Sequence, residues 1–282
     1  MNSNLEFRLL MGKEEYLIGE PAVAYLDLIN KGNEPIEVID QLDPSFGVVK
    51  IHINSDKEVL FRPYIIADAV AHTTILKAGE KVSGTAKIFF GGEGWTFKKP
   101  GNYTVKATYK GIISIPKMEI KSNIVDVHIR GPSGKAERDQ VNLIKGEEQG
   151  LFLLMEGGDH LKKGIKNLVK LSKQYHDSDL AGYADLALGV NLSRNFKDFQ
   201  KGSVRPANPQ ESVEHLQKTI DKDVDDWYKR EAYFTLADVY KKHDLGNATQ
   251  VMNEFVENFS EDQKLQRSVQ KAKKIISESN SK

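Results

Sequence analysis

Apolar residues recur at nearly every second position up to about residue 130, with turn residues between the runs. This alternation predicts β-strands with one buried face, because successive side chains of a strand point to opposite faces. One run stops at residues 30–33, where Asn30 and Gly32 accept the positive φ of a tight turn. Seven to nine short strands at this spacing indicate an antiparallel β-sandwich over residues 1–130. The clearest runs are 23–29, 36–39, 48–53, 59–61, 82–90, 103–109 and 124–129.

The hydrophobic rhythm changes at Gly131, where two glycines, a proline and a serine predict a linker over residues 131–136. Apolar residues then recur at intervals of three and four, which predicts packed helices over residues 137–282. Asn208 before a proline marks one helix start, and Ser260 with Gln263 matches a capping box. The predicted helices are 143–155, 161–175, 180–192, 213–220, 227–240, 251–259 and 265–276.

Three segments of the first part, residues 16–21, 26–36 and 97–107, resemble bacterial immunoglobulin-like domains. They are also similar to the domain of the intracellular proteinase inhibitors of bacilli. In such folds a corner tyrosine, matched here by Tyr103, ties its hydroxyl back to a nearby backbone group. The resemblance implies an immunoglobulin-like sandwich, and it leaves proteinase inhibition open as a function, since unrelated roles share this fold.

Residues 184–192 in the second part resemble the first helix of a tetratricopeptide repeat, and residues 232–240 repeat the pattern 48 positions later. The period exceeds the roughly 34 residues of the family, and the insertion 196–207 accounts for most of the excess. Ala248 also stands one position short of the expected small residue. The resemblance therefore implies degenerate, tetratricopeptide-like helical hairpins.

In stacked repeats the first helix of each hairpin lines a concave groove that holds an extended peptide or a partner's helix. In that register five charged residues would project into the groove, and they are our predicted partner-binding residues: Arg194, Glu231, Asp238, Lys241 and Lys242. The alternative is that these side chains only solvate an exposed face.

Charge and composition exclude some classes of partner. Lys plus Arg and Asp plus Glu both number 40, so no net field would gather nucleic acid. The sequence contains no cysteine and no apolar run long enough for a transmembrane segment. We expect a bacterial protein of the cell envelope, periplasmic or secreted, whose leader is absent from this chain. A cytoplasmic location stays open as the alternative.

No catalytic motif is visible, and the seven histidines are scattered without metal-ligand spacing. Residues 221–226 suggest a calcium loop, but Asp226 stands where glycine should turn the chain and Ala232 where the bidentate glutamate should be. These acidic residues are better explained as caps at the start of a helix. We therefore predict no catalytic residues, metal or cofactor, while an active site assembled from distant residues stays open.

Residues 91–97 form the most unusual loop, because three glycines surround Trp95. An aromatic tip of this kind can stack on a sugar or on a partner protein. Alternatively, Trp95 and Phe97 fold back over the end of the sandwich. We predict a non-catalytic interaction or scaffold protein that binds a protein or peptide, with Trp95 among the candidate residues. A proteinase inhibitor or a carbohydrate-binding module remains the alternative, and the sequence sets no oligomeric state.

Overall fold

A computed structural model describes residues 4–68, 70–113, 118–198 and 202–280 of the chain. The chain folds into two compact units, Met1–Pro132 and Ser133–Lys282. The first unit is rich in β-strands that form antiparallel sheets, and the second contains the helices. At this level the predicted combination of a β part and an α part is correct.

Twelve strands occur in the described residues of the first unit. They are β1 (Leu5–Met11), β2 (Glu15–Leu17), β3 (Val23–Asn30), β4 (Ile36–Ile39), β5 (Val49–Asn54), β6 (Glu58–Leu60), β7 (Thr73–Leu76), β8 (Lys81–Lys87), β9 (Phe90–Gly91), β10 (Gly94–Trp95), β11 (Gly101–Tyr109) and β12 (Ile120–Arg130).

Two sheets enclose the core of this unit. One has the order β1-β3-β8, and the other has the order β2-β12-β11-β5-β6. All of these pairs are antiparallel except β2 with β12, which is parallel. The rings of Phe7 on β1 and Tyr109 on β11 meet across the two sheets, with centroids 5.7 Å apart. Burial of the inner faces of both sheets supplies the main stabilising term of such a unit.

Strand β1 was not among the predicted strands, nor were β2 and β7. Leu5, Phe7 and Leu9 are buried in β1, whereas the residues between them are not. Strand β3 ends at Asn30 as predicted, but neither Asn30 nor Gly32 has the positive φ expected for the turn. Instead, the buried side chain of Asn30 accepts a hydrogen bond from the main-chain N–H of Gly32 and donates to the carbonyls of Glu34 and Leu76.

Eight helices occur in the described residues of the second unit. They are α1 (Lys135–Ile144), α2 (Glu147–Met155), α3 (Lys162–Gln174), α4 (Asp179–Leu192), α5 (Pro209–Ile220), α6 (Asp226–His243), α7 (Ala248–Phe259) and α8 (Gln266–Asn280). Helix α1 begins at Lys135, inside the stretch 131–136 predicted as linker, and it precedes the first helix predicted from residue 143. Its mostly polar sequence hid the helical period.

Each helix from α2 to α8 packs against the next, and α4 also contacts α2 and α6. The predicted start at Asn208 is confirmed, because its side chain accepts a hydrogen bond from the N–H of Glu211. The predicted capping box at Ser260 is wrong: Ser260 follows the last residue of α7, and α8 begins only at Gln266.

The insertion 196–207 contains a small hairpin of two strands, β13 (Phe196–Asp198) and β14 (Ser203–Arg205), which the sequence did not predict. Residues 199–201 between the strands lie outside the described ranges. Arg205 fastens the hairpin to the helices: its Nε donates to Asp159 over 2.5 Å and its Nη2 to the carbonyl of Asn191 over 2.9 Å. Within the described ranges, no helix combines the length and apolar character needed to cross a bilayer.

Candidate functional site

A cleft of about 790 Å³ opens in the first unit beside strand β6. One wall is an unbroken run of the chain, residues 55–62, which includes β6 and its flanking turns. The opposite wall is formed by residues between Gly91 and Lys99. The size falls in the range of small-molecule and peptide sites, which are typically 300–1,000 Å³.

The floor of the cleft is apolar. Ile53, Phe61 and Tyr103 line it and are otherwise buried in the core, whereas the side chain of Val59 is 44% exposed. An apolar floor of this kind gives a ligand side chain about 25 cal/mol per Å² of apolar surface removed from water.

Trp95 stands in the wall opposite β6. It belongs to the two-residue strand β10, which pairs with β9 so that Trp95 lies opposite Phe90. The indole packs against the rings of Phe89 and Phe90, with centroids 5.6 and 5.9 Å away. Phe97 is buried and meets Tyr103 edge-on at 5.1 Å. The loop thus folds onto the sandwich, while Trp95 keeps a partly exposed side that lines the cleft.

Gly91 lets the two walls meet at one end of the cleft. The N–H of Gly92 donates to the carbonyl of Arg62 over 2.9 Å. A Cβ at position 91 would lie 2.2 Å from that same oxygen, so only glycine fits there.

The rim of the cleft carries charges of both signs, and several are already paired. Glu58 accepts from Lys106 over 2.6 Å and lies 3.0 Å from His52, and Glu93 lies 3.7 Å from Arg62. The hydrogen bond from Lys106 lowers the pKa of Glu58, which keeps that carboxylate ionised.

Three further rim charges are open. Within the described part of the chain no ion pair reaches Lys57, Lys99 or Asp56, and all three line the cleft. The unpaired rim therefore carries one positive charge more than negative ones.

In the helical unit the predicted partner-binding residues fall into separate places. Arg194 follows α4, and its Nη2 donates to the carbonyl of Glu156 over 2.7 Å at the end of α2. Glu231 forms an ion pair with the neighbouring Arg230. Asp238 and Lys242, one helical turn apart on α6, pair over 2.6 Å.

Four of the five predicted side chains thus already have contacts within the chain. Within the described residues no hydrogen bond or ion pair joins Arg194 to the four candidates on α6, and Lys241 is exposed on that helix. Twelve of the fourteen residues of α4 are buried, so α4 itself offers little open surface to a ligand.

A buried polar cluster lies between α3, α4 and α5, and the sequence reasoning missed it. Asp185 is 1% exposed, and one of its oxygens accepts from Ser172 and contacts Nδ1 of His215, both over 2.6 Å. A nucleophile would need a hydrogen bond to the histidine, but here both side chains meet the carboxylate. Ser172 is 2% exposed, so both it and Asp185 are almost wholly buried.

The acidic stretch 221–226 acts at a helix start. The side chain of Asp225 accepts from the N–H of Trp227 and caps α6, and Asp226 pairs with Lys264 over 2.9 Å. The described part of the chain contains no cluster of three or more histidine, aspartate or glutamate side chains suited to a metal ion.

No family model matches the chain, and no curated protein matches it. Among solved structures, the CARDB domain of a Pyrococcus furiosus protein in complex with di-metal ions is similar over 45% of this chain and 87% of that domain, with 15% identity and a TM-score of 0.27. The sporulation control protein Spo0M of Bacillus subtilis matches 50% of this chain and about half, 54%, of its own, with 9% identity and a TM-score of 0.28.

An ASH/PapD-like domain of human CEP192 matches 47% of this chain and 88% of its own, with 15% identity and a TM-score of 0.20. At these identities and TM-scores, the three matches provide no basis for transferring a function.

Proposed function

We propose that the chain is a non-catalytic interaction protein that binds another protein in the cleft between β6 and Trp95. The observation that carries the proposal is the combination of an apolar floor with a rim of paired and unpaired charges. Interfaces have this anatomy, in which an apolar centre supplies affinity and a polar rim supplies orientation.

Trp95 is the central residue of the proposed site. Its ring is held by Phe89 and Phe90, so little side-chain entropy is lost when a partner packs against it. Tryptophan is among the residue types that are enriched at the energetic hot spots of interfaces. The candidate residues of the helical unit form a second, weaker part of the proposal, because Arg194, Glu231, Asp238 and Lys242 already have partners in the chain.

The proposal includes the finer fold assignment. The hydrogen bond from Tyr103 to the carbonyl of Lys99 supports an immunoglobulin-like sandwich, because it is the tie expected of a corner tyrosine. The contacts of α4 with α2 and α6 support a tetratricopeptide-like array, in which alternate helices are neighbours. An envelope or secreted location in a bacterium is also part of this proposal.

Photo-crosslinking in cells of the source organism tests the function. A benzoyl-phenylalanine in place of Glu93, at the rim of the cleft, is compared with the same group in place of the exposed Ile124 on β12. We expect one protein to crosslink from position 93 only, and the Trp95→Ala substitution to abolish that product. The proposal would be refuted if both positions gave the same crosslinked products, or if the product from position 93 persisted in the Trp95→Ala variant.

Two other outcomes would favour the alternative functions. Trp95-dependent binding on a glycan array would indicate a carbohydrate-binding module. Trp95-dependent loss of activity in a panel of proteinases would indicate an inhibitor, which would use the same loop.

A further inference from the structure

We infer that the occupant of the cleft is an extended, acidic peptide segment of the partner protein, whose main chain pairs with the outer edge of β6. This inference rests on the proposed function, because it names the partner chemistry of the same site.

Strand β6 is the edge of its sheet and pairs with β5 on its inner side. The N–H of Phe61 donates to the carbonyl of Ile51, which fixes the phase of the antiparallel ladder. Main-chain groups of alternate residues in such a ladder point to opposite sides. The N–H and C=O groups of Glu58 and Leu60 therefore point away from β5, toward a further strand.

The chain itself makes the first hydrogen bond on the outer side of β6. Arg62 has the same phase as Leu60, and its carbonyl accepts from the N–H of Gly92. Gly91, which admits no Cβ at this place, brings the backbone close enough for that bond. A bound peptide would continue this ladder of hydrogen bonds along the main chain of Leu60 and Glu58.

The dimensions of the cleft suit a peptide strand. Its wall runs without a break from Ser55 to Arg62. Residues 55–57 form the turn into β6, so the extended part of this wall is 58–62; at about 3.3 Å per residue it spans roughly 16 Å, which is room for a strand of four to five residues. An edge strand on one side and a second wall on the other is the geometry of β-strand addition.

Side chains of the bound strand would meet different surroundings on alternate positions. Those facing the floor contact Val59, Phe61 and Trp95, which favours apolar residues at every second position.

The unpaired charges on the rim of the cleft determine which sign of charge the peptide should carry. The side chains of Lys57, Lys99 and Asp56 form no ion pair in the described part of the chain, whereas the rim carboxylates of Glu58 and Glu93 are paired, so the unpaired rim charge is positive by one. Complementary charge raises the association rate and rejects peptides of the wrong sign. Asp or Glu at the positions between the apolar residues therefore fits the cleft.

The test uses a displayed library of random octapeptides, selected against the full chain. We expect enriched sequences that alternate apolar residues with Asp or Glu. Leu60→Pro removes an outward N–H and spares the bonds to β5, so it should weaken binding of the enriched peptides by at least about tenfold. The double change Lys57→Glu and Lys99→Glu should shift selection toward basic peptides.

Ile75→Pro is the matched control. Ile75 lies on another edge strand, β7, and its N–H also points outward, because Asp40 and His72 fix the ladder phase there. This variant should bind the enriched peptides like the wild type. If Leu60→Pro does not fold, N-methylation of a selected peptide replaces it. Methylation of the alternate amides that face β6 should abolish binding, and methylation of the amides that point away from β6 should not.

If a peptide lost binding to Trp95→Ala but still bound Leu60→Pro, and bound in both methylated forms, this result would overturn the pairing with β6 and leave the proposed function intact. Enrichment of basic or non-alternating peptides would also overturn the inference. If no enriched peptide depends on Trp95, the inference fails, and the crosslinking experiment then decides the proposed function separately.

Discussion

The hydroxyl of Tyr103 donates a hydrogen bond of 2.8 Å to the main-chain carbonyl of Lys99. Tyr103 lies in β11, and its ring packs edge-on against Phe97 in the preceding loop. One buried side chain thus ties the central strand of the larger sheet to the segment that carries Lys98 and Lys99. Because Tyr103 also lines the floor of the cleft, the same bond positions one wall of the proposed site.

Tyr103→Phe should lower the free energy of unfolding by about 1 kcal/mol, since it removes one hydrogen bond and leaves the ring packing in place. It should also weaken ligand binding in the cleft several-fold, because Lys99 is held less firmly. Denaturant unfolding and peptide titration measure the two effects. Tyr64→Phe is the control: Tyr64 is exposed and keeps its ring contact with Phe90. Equal effects from both variants would contradict this role of Tyr103.

Much of the β part follows from the sequence, because alternation survives wherever one face is buried. The predicted run 103–109 falls within β11, and the predicted run 23–29 falls within β3. Strand β1 carries the same signal in Leu5, Phe7 and Leu9, so the sequence contained the information and the prediction overlooked it. Strands of two or three residues such as β10 and β13 are too short to show a period.

The candidate site was only partly predictable. The glycines around Trp95 pointed to the loop, but the cleft exists because β6 is the edge strand and Gly92 meets Arg62. Strand order and such long-range bonds have no local sequence pattern. The Asp185 cluster was hidden for a similar reason, since Ser172 and His215 lie 13 and 30 positions from Asp185.

Asp185→Ala should lower the free energy of unfolding of the helical unit by about 1–3 kcal/mol, because it leaves the buried side chains of His215 and Ser172 without their hydrogen-bond partner. Asp238→Ala is the matched control on an exposed pair with Lys242 and should cost less than about 1 kcal/mol. Far-ultraviolet circular dichroism during denaturant titration follows the helices of the full chain. A similar cost for both substitutions would refute the structural role of the cluster.

Asp159 should make the stability of the helical unit sensitive to acid. Burial tends to raise the pKa of Asp159, but hydrogen bonds from Arg205 and Asn191 outweigh it and hold that pKa below its ordinary value. A carboxylate with a depressed folded-state pKa contributes stability above its unfolded pKa of about 3.9, and this contribution is lost as the pH falls through the folded-state pKa.

Asp159→Asn should therefore lower the free energy of unfolding by about 1.5–3 kcal/mol near neutral pH, the range for hydrogen bonds to a charged group. The difference in unfolding free energy between the variant and the wild type should become smaller below about pH 4. Unfolding curves across this pH range measure it, with Asp177→Asn as the control, because the side chain of Asp177 is 90% exposed. A difference in unfolding free energy that stays constant down to the lowest pH would contradict the prediction.

Gly91→Ala should damage the end of the cleft, whereas Gly92→Ala should not. A Cβ at position 91 would lie 2.2 Å from the carbonyl oxygen of Arg62, while one at position 92 meets nothing closer than 3.8 Å. The close contact is with backbone, so the wall must move, at a cost of about 1–3 kcal/mol in unfolding free energy. The N–H of Gly92 should lose its protection from hydrogen exchange in the Gly91→Ala variant, because its bond to Arg62 depends on the close approach. Equal stability and equal exchange protection in the two variants would refute the view that Gly91 brings the two walls of the cleft together.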